Sequence, residues 1–129
     1  MRSAAVQVLS ALFDATRSFD LHRPPELFCG FKRRPGESPT LYPVSCSPQS
    51  WSSGAVLMLL QACLGMQVNG IRKTVSFTRP MLPRSVPELR IDGLTVGDAR
   101  VDLALASHGE DVSVNVLRRD GDCHVVVRK

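Results

Sequence analysis

The stretch that decides the fold is Ser47-Pro48-Gln49-Ser50-Trp51-Ser52-Ser53-Gly54-Ala55-Val56-Leu57-Met58-Leu59-Leu60-Gln61-Ala62-Cys63-Leu64-Gly65. Ser47 is placed to cap a helix and Pro48 to occupy its first position, where the missing N–H costs nothing. Gly65 supplies the stop. From Trp51 to Leu64 the only polar side chains are Ser52, Ser53, Gln61 and the Cys63 thiol, and Val56 to Leu60 cover every direction around the axis. A helix apolar all round is enclosed on all sides. Ser52 to Ala55 supplies small residues where another backbone comes close. The sequence therefore predicts a buried helix whose covering structure this chain does not encode.

Upstream, Ala5, Leu9, Leu12, Phe13 and Thr16 recur at helical spacing, which predicts an amphipathic helix over Ser3–Arg17. Pro24-Pro25 forbids its continuation. Pro25 to Cys29 reads as a short helical turn or an extended loop, and Lys32 to Thr40 as an exposed turn rich in charge, proline and glycine.

Downstream, period-two alternation takes over. Ile71 to Thr78 reads as a strand with Ile71, Lys73, Val75 and Phe77 on one side. Asp92-Gly93, Gly97-Asp98, Ser107 to Glu110 and Asp120-Gly121 are turn material between alternating runs. The expected fold class is α+β: a helical part over residues 1–68, then a small antiparallel β-sheet over residues 69–129 with one wet face. Val68-Asn69-Gly70 is the expected boundary turn.

Several function classes fall away on composition. The net charge is +4 and the pI about 9.2, yet the densest basic run, Lys32-Arg33-Arg34, is three residues long and reads as a solvated loop, so no nucleic-acid partner is expected. The longest apolar run, Ala55 to Leu60, falls far short of the ~20 residues that span a bilayer, so no membrane partner is expected either. Cys29, Cys46, Cys63 and Cys123 include no Cys-x-x-Cys pair, and the three histidines are not spaced as zinc partners. Neither metal nor cofactor is expected, and reduced thiols suit a cytoplasmic protein. Gln7, Ser10 and Asp14 interrupt the apolar residues of a signal peptide. Asp120-Gly121-Asp122 lacks the further ligands of a calcium loop, and no Gly-x-Ser-x-Gly supports Ser45, Ser47 or Ser50 with His22 as a nucleophile and base.

On Pro25-Glu26-Leu27-Phe28-Cys29-Gly30 and Tyr42 through Ala55, the chain resembles the C-terminal end of bacterial amylo-alpha-1,6-glucosidases of the glycogen-debranching type. These are relatives of glucoamylases and trehalases with an (α/α)6 barrel. The resemblance continues through a strand like Lys73 to Phe77, through Leu82 to Leu89, and through Gly93 to Gly97. It implies glycoside hydrolysis on α-glucosidic bonds of glycogen-like glucans, the α-1,6 branch among them. In the inverting form an acid protonates the leaving oxygen while a carboxylate ~6.5–9.5 Å away activates water. By resemblance Glu26 is that general base, and Gln49 and Trp51 lie at the mouth of the cleft, Trp51 offering a flat face to a sugar ring. The general acid belongs to an upstream barrel region or partner chain, so this chain alone is expected to be inactive. Ser45, Ser50, Ser52 and Ser53 stand where alanine is expected in many relatives.

The residues by themselves leave other readings open. Glu26 also suits a first helical turn, where the helix dipole favours a carboxylate. Trp51 also suits a core aromatic and Gln49 an inter-helix hydrogen bond. The alternative function is a non-catalytic module that binds glucan or docks on another subunit.

Overall fold

The computed structural model describes residues 2–129 and has two helices and two three-stranded sheets. The chain is thus mixed α+β. Helix α1 spans Arg2–Thr16 and α2 spans Ser50–Leu64. Strands β1 (Met66–Asn69), β2 (Thr74–Thr78) and β6 (His124–Arg128) form one sheet in the order β1-β2-β6. Strands β3 (Glu88–Val96), β4 (Ala99–His108) and β5 (Asp111–Asp120) form the other as a meander.

Helix α1 packs against α2, and its Leu9, Ala15 and Thr16 are buried. Phe13, on the expected stripe, is instead exposed. Helix α2 ends as its sequence demands. Gly65 adopts the left-handed conformation (φ 54°) and its N–H returns to the Ala62 and Gln61 carbonyls. Its start is displaced. Ser47 and Pro48 stay outside the helix, and Gln49 is the cap, its side-chain oxygen accepting from the Ser50 N–H at 3.0 Å. The Gln49 N–H donates outward to the Pro24 carbonyl at 3.2 Å, which ties the helix start to the preceding loop.

The single antiparallel sheet expected downstream is corrected to two sheets, one containing a parallel pair. Strand β6 runs parallel to β2, with Thr74 opposite His124 and Phe77 opposite Val127. Asp120-Gly121 therefore carries the chain from one sheet to the other rather than closing a hairpin. Asp92-Gly93 is not a turn either. Ile91 faces Leu103 and Leu94 faces Val101, so Asp92 and Gly93 form a bulge inside β3. The turn expected at Val68-Asn69-Gly70 falls at Gly70 to Lys73, where the Asn69 side chain accepts from the Arg72 N–H at 2.9 Å. Ile71 consequently projects into solvent, 98% exposed.

One core binds the two sheets together. Val75 and Phe77 of β2 meet Val96, Val101, Leu103 and Leu105 of the meander, with Cys123 and the end of α2 (Leu64) in the same cluster. Burial pushes the Cys63 thiol above its ordinary pKa. The tip of the β1–β2 connection also touches the β3–β4 turn. A Cβ on Gly97 (φ +64°) would lie 2.8 Å from the Gly70 carbonyl oxygen, so glycine is required there twice over.

Candidate active site

Pro24 and Pro25 are buried and fix an extended backbone, so residues 24–29 run as a strand-like arm. That settles the open reading of this stretch: Glu26 lies outside any helix, and its carboxylate has no helix dipole to lean on. The arm is clasped by residues 40–49. Pro24 accepts from the Gln49 N–H (3.2 Å), Glu26 donates to the Cys46 carbonyl (2.8 Å), and Cys29 donates to the Thr40 carbonyl (2.9 Å). Phe28 and Leu41 pair between these rungs. At Leu27 the backbone rung is replaced by a side chain, the Ser45 hydroxyl accepting from the Leu27 N–H at 3.2 Å.

The carboxylate itself is held lightly. The Cys46 N–H donates to Glu26 Oε2 at 3.3 Å, a long bond for a charged acceptor. An ionised carboxylate offers about four acceptor sites, so most of its capacity stays open to other donors. Glu26 is half-buried. Two further contacts tie the clasp to α1 and the segment that follows it. The Phe19 and Phe28 rings lie 5.7 Å apart, and Arg33 on the loop tip pairs with Asp14 of α1 at 2.6 Å. Asp14 is thereby engaged and Arg33 neutralised.

Trp51 sits in the first turn of α2 and is 56% exposed. Gln49 spends its side-chain oxygen on the helix start. Main-chain bonds place Gln49 one rung from Glu26 along the clasp. Further along α2, Leu57 is 70% and Met58 64% exposed. The exposed residues Leu57, Gln61, Gly54, Met58, Trp51 and Ala62 fall within one arc of about 140° at 3.6 residues per turn. That arc carries no charge. No atom stands within 4 Å of a Cβ built on Gly54, at its middle. Enclosure of α2 on every side, as its composition predicts, is thus met on one side only.

Neither of the two best-formed clefts among the described residues is lined by Glu26, Gln49 or Trp51. A groove of about 490 Å³ lies between the end of α2 and β1, lined by Met58, Gln61, Ala62, Met66 and Thr78 among others, and continues the exposed arc. A cleft of about 290 Å³ on the wet face of the meander is lined by Asp92, Gly93, Arg100, Asp102, Arg118 and Asp120. Its polar groups satisfy one another. Arg118 pairs with Asp120 at 2.9 Å, and the Asp102 carboxylate accepts from the Gly93 N–H at 2.6 Å. Among the described residues no group of three or more His, Cys, Asp or Glu is arranged to hold a metal ion, and no helix is long and apolar enough to cross a membrane.

The residues that hold Glu26, Ser45 and Cys46, escaped the sequence reading as site residues. Their contacts to the arm span 18 and 20 positions, so no local pattern in the sequence marks them. Comparison of the chain with protein-family models, curated proteins and solved structures gave no match.

Proposed function

We propose that this chain is the closing segment of a helical-barrel glycosidase acting on α-glucosidic bonds of glycogen-like glucans, and that it contributes one carboxylate, Glu26, as general base. The observation that carries the reading is the uncharged, uncovered arc of α2 directly following the clasp that presents Glu26. Exposed apolar patches of this kind mark surfaces completed by other structure. The resemblance at Pro25 to Gly30 and Tyr42 to Ala55 supplies the chemistry. Glu26 would take the proton from the attacking water, with its open acceptor sites turned to the sugar. The acid that protonates the leaving oxygen would come from the upstream barrel region or a partner chain. Trp51, exposed at the head of the arc, would stack on a glucose ring.

The test mixes the chain with an upstream barrel segment and follows glucose release from a branched glucan. The chain alone should release none. The complemented pair should be active, and Glu26→Gln should lower its kcat about 10²–10⁴-fold, the usual contribution of a general base. Release that survives Glu26→Gln removes Glu26 from the chemistry. A second reading, a non-catalytic module that docks on another subunit or binds glucan weakly through Trp51, is favoured by Glu26 lying outside both clefts. Under that reading Trp51→Ala weakens glucan retention while Glu26→Gln leaves it unchanged.

A further inference from the structure

We infer that Ser45 is a positioning residue for Glu26, fixing the backbone on both sides of the hydrogen bond that holds the carboxylate. The inference rests on the reading of Glu26 as a base but is argued from the clasp alone. The Ser45 hydroxyl accepts from the Leu27 N–H at 3.2 Å and lies 3.5 Å from the Leu27 carbonyl and 3.3 Å from the Cys46 carbonyl. A hydroxyl has one proton and two lone pairs. Ser45 therefore accepts from the residue after Glu26 and donates to one of these two carbonyls, each next to the carboxylate's bond. The Ser45 N–H donates to the Tyr42 carbonyl at 3.0 Å, a turn that sets Ser45 against the arm.

Glu26 is then gripped at three points. Its own N–H is held by the Cys46 carbonyl (2.8 Å), its neighbour's N–H by Ser45, and its Oε2 by the Cys46 N–H (3.3 Å). Only the second grip comes from a side chain, so only it can be deleted without touching Glu26 or the main chain. Without it the Leu27 N–H loses its partner, and the arm pivots about the Glu26–Cys46 rung. A displacement of about 1 Å at a reacting group is worth up to about a hundredfold in rate.

The experiment is a pH titration of the full chain followed by backbone amide NMR. The Cys46 amide proton should shift as Glu26 ionises, and Glu26→Gln should abolish that shift. Ser45→Ala should at least halve its amplitude and speed exchange of the Leu27 and Cys46 amides roughly fivefold, the size of one ordinary hydrogen bond. The Val101 and Leu103 amides, in the buried meander, should not change. Ser45→Thr keeps the hydroxyl and should restore both readouts. If Ser45→Ala unfolds the chain, Ser45→Cys replaces it with the same expectation. In the complemented enzyme Ser45→Ala should lower kcat about tenfold or more with KM unchanged. An unchanged Cys46 amplitude in the Ala or Cys variant overturns the inference even if Glu26→Gln abolishes hydrolysis. Hydrolysis that survives Glu26→Gln overturns the base assignment while leaving the amide result intact.

Discussion

The two halves of this molecule treat the same kind of residue in opposite ways. In the sheets, Phe77 and Leu103 are 0% exposed, enclosed by strands brought together from distant parts of the sequence. In the helical layer, Leu57 and Met58 stand in solvent although their helix is the most apolar segment of the chain. Helix α2 belongs to both halves. Its last turn, at Leu64, enters the β core, while its middle turns face outward. Apolar content therefore says how much covering a segment wants, and only topology says whether it gets it. The sheets close on a common core, whereas the helices leave one face of α2 uncovered.

The contrast predicts a steep gradient of mutational cost. Phe77→Ala should lower stability by about 3–5 kcal/mol in urea unfolding, the cost of a large void in a closed core. Gly97→Ala comes next at about 2 kcal/mol or more, combining a left-handed backbone with a Cβ pressed on the Gly70 carbonyl, and the midpoint of the same transition reads it. Leu57→Ser should stay within about 0.5 kcal/mol, since that side chain loses almost no contact. A cost at Leu57 approaching that at Phe77 would mean that the arc is covered in the isolated chain, and the contrast would vanish.

Smallest of all is the Lys73–Asp98 pair at 2.9 Å, which joins the first sheet's turn to the meander's. The hydrogen bond and charge of Lys73 hold the Asp98 carboxyl below its usual range, and Asp98 raises the Lys73 ammonium above its own. A lowered acid stabilises above its unfolded value and loses this as pH falls through the folded one. A raised base stabilises below its unfolded value and loses this as pH rises through the folded one. The melting-temperature gap between the wild type and Asp98→Asn should therefore be present from roughly pH 4 to 10 and close at both extremes. A gap that persists well below that window would assign it to something other than the pair. Both groups are solvent-exposed, so added salt should shrink it further.

Legibility followed the range of the forces involved. The Gly65 stop, the inward set Val101, Leu103 and Leu105, and the turn at Gly97-Asp98 were all readable, because each depends on a few neighbouring residues. Asp92-Gly93 looked like a turn because its dipeptide chemistry also suits a bulge, and only the pairing partner across the sheet distinguishes them. Asp120-Gly121 bends the chain as expected, but its destination is chosen by the open edge of β2. In the candidate site, Glu26 was named from its sequence context, while the Ser45 and Cys46 groups that hold it come from some twenty positions away and leave no local trace.

The pairing of β2 with β6 carries one last consequence, for the order in which the molecule assembles. Thr74 must wait for His124 before its sheet can close, so the innermost strand of that sheet is made long before its partner. Distant pairings of this kind slow folding, since the intervening chain gives up its freedom before any contact repays it. Meanwhile β2, with Val75 and Phe77 still uncovered, presents an unzipped margin during synthesis, a surface on which chaperones act or aggregates start.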